Sequence, residues 1–141
     1  MRRYAEFAVA ALVLAALLTL LLMRLDTALD EMERTQVQNE VAGMRLDLLD
    51  VVAHREAFGG KLPESDNPVE WIGHGPSAYI GAFPEAPRDR GIWYYDQGRR
   101  ALIYRFKKGG EEAYHLSRAA GSGHGKSVLA GVGLLRVENS R

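Results

Sequence analysis

Seventeen consecutive residues, Phe7 to Met23, carry no charge, and no other feature of the chain narrows its architecture as far. As a helix this run rises about 25 Å, and counted from Tyr4 it approaches the roughly 30 Å hydrocarbon thickness of a bilayer. It is long enough to span a membrane. A cleaved secretory signal has a shorter apolar core with small residues around the cut. This stretch instead ends Leu21-Leu22-Met23-Arg24-Leu25-Asp26 with no Ala-x-Ala pattern, so removal by the general signal peptidase is not expected. No cysteine follows for lipid attachment. Arg2 and Arg3 precede the run, while Asp26, Asp30, Glu31 and Glu33 follow it. The positive-inside rule therefore predicts a single-pass protein with a cytoplasmic N-terminus. In a Gram-negative bacterium that means the inner membrane, with the C-terminal part in the periplasm.

The apolar run does not give way to a linker. From Leu25 to Phe58 there is no proline and one glycine, Gly43, and apolar residues recur at Leu25, Leu29, Met32, Val37, Val41, Met44, Leu48 and Val52, mostly three or four apart. This is the pattern of an amphipathic helix continuing the first. Arg24, Asp26, Glu33, Arg34, Gln36, Glu40, Asp47 and Glu56 read as its solvated face. A single helix from Tyr4 to about Phe58 is expected, ended by Gly59-Gly60 and Pro63. Its apolar stripe suits either a partner helix, as in a membrane anchor with a short coiled-coil neck, or this chain's own domain.

Beyond residue 58 the composition changes. All five prolines and most of the glycines lie there, among short alternating runs. Ile92-Trp93-Tyr94-Tyr95 and Ala101-Leu102-Ile103-Tyr104-Arg105-Phe106 flank a turn at 96–100 and read as an antiparallel hairpin. Strand alternation puts Leu102, Tyr104 and Phe106 on a packed face, and Ile103, Arg105 and Lys107 on a mostly solvated one. A third strand is expected around 112–117 and a fourth around 127–137. Such a sheet needs a cover for its apolar face, and the amphipathic half of the helix is the one long element available. The expected fold is α+β, with a long N-terminal helix packed on a small antiparallel sheet of three to four strands. The expected segments are 1–24 in the membrane, 25–58 as the amphipathic continuation, and 59–141 as the head, whose core is Trp93, Tyr95, Leu102, Tyr104 and Phe106.

These features together resemble the type IV pilins and the pseudopilins of type II secretion. The resemblance rests on Glu6 within the apolar helix and on Asn67-Pro68-Val69-Glu70-Trp71-Ile72. It rests also on Pro76-x-x-Tyr79-Ile80-Gly81, on Gly91-Ile92-Trp93-Tyr94-Tyr95-Asp96 and on Leu102-Ile103-Tyr104-Arg105. It implies a structural subunit, a minor pilin or pseudopilin, that packs through its N-terminal helix against other pilin-like subunits and meets an inner-membrane assembly platform. Glu6 and Phe7 would be the assembly residues, with the carboxylate of Glu6 pairing with a neighbouring subunit's N-terminal amine. A carboxylate in an apolar layer is costly without a partner, which suits that role, though Glu6 beside Arg2 or Arg3 at the headgroup level satisfies the same requirement. The chain departs from the family at its start: Met1-Arg2-Arg3-Tyr4-Ala5-Glu6-Phe7 has no glycine ahead of a cut site, and the membrane helix has no proline to kink it. The alternative is a membrane-anchored periplasmic binding or sensor module that does not assemble.

Sharper chemistry finds little support. Ala120-Gly121-Ser122-Gly123-His124-Gly125-Lys126-Ser127 imitates a phosphate-binding loop, but alanine stands where its first glycine belongs and an α/β setting is lacking. His54, His74, His115 and His124 are scattered, and Ser117, Ser122, Ser127 and Ser140 sit in no nucleophile motif, so no catalytic residue, metal or cofactor is expected. Formal charges cancel at 18 against 18 but divide unevenly, with +1 over 1–23, −4 over 24–58 and +3 over 59–141. Arg99, Arg100, Arg105, Lys107 and Lys108 interleave with Tyr104 and Phe106. Such a cluster could contact nucleic acid, but the alternation turns both aromatics inward and nucleic acid is not the expected partner. Trp71, Tyr79, Arg99 and Arg100 are the candidate partner surface, although Trp71, Tyr79 and Trp93 equally suit the closure of a small core.

Overall fold

The structure, a computed structural model, describes residues 1–118 and 132–137. The phosphate-loop imitation at 120–127, His124, the serines at 122, 127 and 140, and the first part of the expected fourth strand lie outside the described residues. A helix α1 (Arg2–Phe58) is followed by a short helix α2 (Pro68–Ile72) and five strands: β1 (Tyr79–Phe83), β2 (Ile92–Asp96), β3 (Ala101–Arg105), β4 (Glu111–Ser117) and β5 (Gly133–Arg136). The chain divides into two units, Met1–Gln36 and the residues from Val37 onward.

The first unit is helix alone. Its segment from residue 2 is long and apolar enough to cross a membrane, and none of the apolar window is buried by protein. Thr19 hides the one hydroxyl in this run by donating to Ala15 O at 2.9 Å, which satisfies a polar group that hydrocarbon would not solvate. The unit boundary falls inside the expected segment 25–58. Leu25, Leu29 and Met32 are exposed, whereas Val37, Val41, Met44, Leu48 and Val52 are buried. One continuous periodic stripe thus serves two environments. The helix stops where expected, because Gly59 adopts a left-handed φ of 77° and returns its N–H to Arg55 O.

In the second unit the buried stripe of α1 packs on one face of a five-stranded sheet in the order β1-β2-β3-β4-β5. Trp93 and Tyr95 of β2, Leu102 and Tyr104 of β3, Phe106, Tyr114 of β4 and Leu134 of β5 meet it there. Aromatic rings tile this face, with Trp93 and Tyr104 centroids 5.1 Å apart and Tyr104 edge-on to Phe106 at 5.0 Å. The β2–β3 hairpin pairs Trp93 with Tyr104 and Tyr95 with Leu102. Asp96 Oδ1 closes its turn by accepting the Arg99 N–H at 2.9 Å.

Three expectations need correction. Among the described residues the sheet has five strands and is mixed, since β1 runs parallel to β2 with a register shift between Tyr79 and Ala82. Gly81, at φ 120°, lies within that shift. The residues 67–72, beyond the one helix that the sequence leads one to expect, form α2: Asn67 Oδ1 caps the Val69 N–H at 3.1 Å, proline opens the helix, and Gly73 at φ 84° ends it. The face of the sheet opposite α1 is not solvated. Tyr94, Ala101, Ile103 and Ala113 form a second small core there, flanked by Phe83, Ile92 and Val137. Arg105 helps to cover it, with its guanidinium 5.7 Å from the Tyr94 ring and donating to Pro87 O.

Tyr94 is fully buried, yet its hydroxyl finds no hydrogen-bond partner among the described residues. An orphaned buried hydroxyl costs about 1–3 kcal/mol of desolvation. Tyr94→Phe is therefore expected to leave stability unchanged or to raise it by up to about 1 kcal/mol in denaturant unfolding, whereas Ile103→Ala in the same cluster is expected to lower it by about 2–4 kcal/mol.

Candidate functional site

Two regions bear on function: the exposed helical unit, and the surface of the head. In the first, Glu6 and Phe7 stand on the part of α1, residues 2–29, in which every residue is exposed, with Phe7 76% exposed. Arg2, Ala5, Val9 and Ala10 surround Glu6 in shallow relief. This surface is apolar and uncovered over Tyr4–Met23, with Glu6 its one acidic group.

The head is different, because its polar groups are bonded to one another. Glu40, which reads from the sequence as part of a solvated helix face, is a tie to the sheet: Oε2 accepts the Trp93 indole N–H at 2.5 Å and Oε1 accepts the Ser77 hydroxyl. Arg45 donates from both Nε and Nη2 to Leu134 O, at 3.1 and 3.0 Å, and so holds β5 to the helix. Gln38 donates to Glu112 Oε2 at 3.1 Å. Asp47 lies 3.7 Å from His74 Nε2 on the α2–β1 connection. A glutamate, a glutamine and an arginine on the face that meets the sheet look, one residue at a time, no different from surface residues. A slight signal was available in their positions beside the apolar stripe.

Glu112 centres the most buried of these groups. Its carboxylate accepts from the Tyr114 hydroxyl at 2.7 Å, from Gln38, and from Arg136 at 2.8 Å. Burial, with the hydrogen bond and negative charge of Glu112 adding to it, pushes the Tyr114 hydroxyl up to about 12.

The expected partner surface is altered. Trp71 is 5% exposed and packs in the main core, where its indole N–H donates to Ser65 O at 2.7 Å and Arg118 stacks 5.2 Å from its ring. It is therefore unavailable as a surface anchor. Tyr79 is half-buried, its ring lies against the same core and its hydroxyl accepts from Asn67 Nδ2 at 3.3 Å. Arg99 and Arg100 stay at the surface but are engaged: Arg99 with Glu111, which also faces Arg105 at 3.8 Å, and Arg100 with Asp66 at 3.8 Å, which Arg118 also approaches. The hydrogen bond to Glu111 raises the Arg99 pKa. Trp93, Tyr95, Leu102, Tyr104 and Phe106 are all in the core facing α1. With Tyr104 and Phe106 inside, the basic strand offers no ring for stacking on a base. Of the other histidines, His54 stacks on Phe58 at 4.7 Å and His115 Nδ1 meets Arg100 O at 2.8 Å. Among the described residues no three His, Cys, Asp or Glu side chains gather as a metal would need.

Two outcomes follow from the Glu112 cluster. Tyr114 loses its proton less readily folded than unfolded, so its contribution to stability is intact below pH 10 and is lost as pH rises from about 10 to about 12. Tyr114→Phe is expected to make the alkaline fall in stability shallower over that window, read by denaturant midpoints at fixed pH. Glu112→Ala strips acceptors from three donors and is expected to cost roughly 2–3 kcal/mol at neutral pH, measured in the same way.

Compared with models of known protein families, with curated proteins and with solved structures, the chain matches none.

Proposed function

We propose that this chain is a structural pilin-like subunit, a minor pilin or pseudopilin of a type IV pilus or type II secretion apparatus. The observation that carries the reading is the division of α1. Its residues up to Gln36 leave an apolar surface without cover, while Val37, Val41, Met44, Leu48 and Val52 are buried beneath a small aromatic sheet. A folded head needs only the second part. The first part is the kind of surface that a bilayer, or the packed helices of a filament, would bury. Arg2 and Arg3 on one side of the apolar run, and the acids after it on the other, orient the N-terminus to the cytoplasm and the head to the periplasm. Glu6 would set register against a neighbouring subunit, and the assembly platform of the inner membrane would be the partner that extracts the helix. The head contributes no catalysis in this reading.

A second reading, a membrane-anchored binding module, draws on the same membrane-length apolar helix, used as an anchor alone. The two differ in what they ask of Glu6. Assembly tolerates little change there, because an uncompensated or missing charge in a packed apolar layer alters the pairing of helices. An anchor accepts any hydrophobic helix.

The experiment is mass spectrometry of the N-terminal peptide from membranes and from sheared surface filaments, for the wild type and Glu6→Ala. Recovery from filaments, reduced at least about tenfold by Glu6→Ala, is the expected result. Full-length protein confined to membranes and indifferent to Glu6→Ala would replace the filament subunit with the anchored module.

A further inference from the structure

The exposed unit carries an unused pattern. Leu18, Leu22, Leu25, Leu29 and Met32 follow one another at intervals of four, three, four and three, and each is between 53% and 68% exposed. That spacing is a 3.5-residue repeat, the period at which two helices keep one seam in contact over successive turns. In heptad terms Leu22 and Leu29 fall at a, and Leu18, Leu25 and Met32 at d. The same register runs back through Ala15 and Ala11, whose small side chains allow close approach of helices within a bilayer. It ends at Gln36, a polar residue at the next a position and the last residue of the unit.

Lipid does not account for the seam beyond Met23. Leu25, Leu29 and Met32 are interspersed with Asp26, Asp30, Glu31 and Glu33, whereas a helix that lies on an anionic membrane surface carries lysine and arginine on its polar face. The flanking charges also select an orientation. Positions e hold Asp26 and Glu33, and positions g hold Leu21, Ala28 and Thr35. Two parallel copies set Leu21 against Asp26 and Ala28 against Glu33, so no like charges face each other. An antiparallel pair would bring the e positions together, acid against acid. Parallel alignment at equal depth is also what two copies inserted in one membrane already have.

We infer that a second copy of this chain covers this seam, as a parallel, in-register pair of helices over residues 18–32. The pairing requires membrane insertion and does not rest on a filament role.

The chain has no cysteine, so single cysteines report contacts without background. The full-length protein is expressed alone in a heterologous bacterial membrane, where no other subunit is present, and oxidised with copper phenanthroline. Leu25→Cys, Leu29→Cys and Met32→Cys lie on the seam, and Thr27→Cys, Glu31→Cys and Arg34→Cys lie off it. The expected result is a disulfide-linked species at twice the chain's 15.6 kDa mass, at least about fivefold more abundant from the seam positions. Addition of Leu25→Glu and Leu29→Glu to Met32→Cys, which sets like charges against each other in the seam, is expected to abolish it, with the head's thermal unfolding unchanged because neither residue is in the head. No dimer at any position, equal yields at all six, or a dimer that survives the double substitution would each overturn the inference. Because no filament can form in that host, these results are independent of the fate of the filament reading.

Discussion

Everything in the head depends on five α1 side chains pressed against the aromatic face of the sheet. Val37, Val41, Met44, Leu48 and Val52 are between 0% and 4% exposed. At about 1.5–3 kcal/mol for each large apolar side chain taken fully out of water, their burial contributes on the order of 10 kcal/mol, as an upper figure. A five-stranded sheet with one bare aromatic face would not be stable in water. The helix is its cover, and the sheet in turn gives the helix a reason to persist beyond its uncharged run.

Apolar burial leaves the helix free to slide or rotate over a greasy surface, and the polar ties remove that freedom. Glu40 receives the Trp93 indole, Gln38 meets Glu112, and Arg45 holds the Leu134 carbonyl. Each is a directional bond at a different height along α1 and to a different strand, so together they define one register. The same economy holds on the far side of the sheet. There Arg105, lying over Tyr94 and bonded to the Pro87 carbonyl, draws the connection before β2 across a second small core.

This inward bonding limits what the head surface has to offer and shifts interest to the other unit. The arginines that read as a cationic strip are engaged by Glu111 and Asp66, each of which meets two of them. The uncovered apolar surface belongs to residues 1–36 instead. The polar groups of the head are bonded within it, whereas the apolar side chains of the first unit are covered by nothing in this chain.

Much of this was legible in one dimension. The uncharged run, the proline-free stretch to Phe58, the Gly59-Gly60 stop and the alternation of the 92–106 hairpin are consequences of local physics: hydropathy, backbone freedom and the two-residue period of a strand. The hairpin's aromatic residues in the main core, Trp93, Tyr95, Tyr104 and Phe106, follow from that alternation. The sequence by itself therefore determined that the chain has a membrane-length helix, that the helix continues in water, and that an aromatic hairpin follows. It did not determine where along the stripe the helix passes from uncovered to covered, since Met32 and Val37 are alike in chemistry. Nor did it separate Glu40 from the solvated carboxylates around it, mark β1 as a parallel strand, bury Trp71, or close the sheet's second face. Those depend on which distant groups arrive at hydrogen-bonding distance, and only the tertiary structure, by bringing Trp93 to Glu40 and Pro87 to Arg105, decides them.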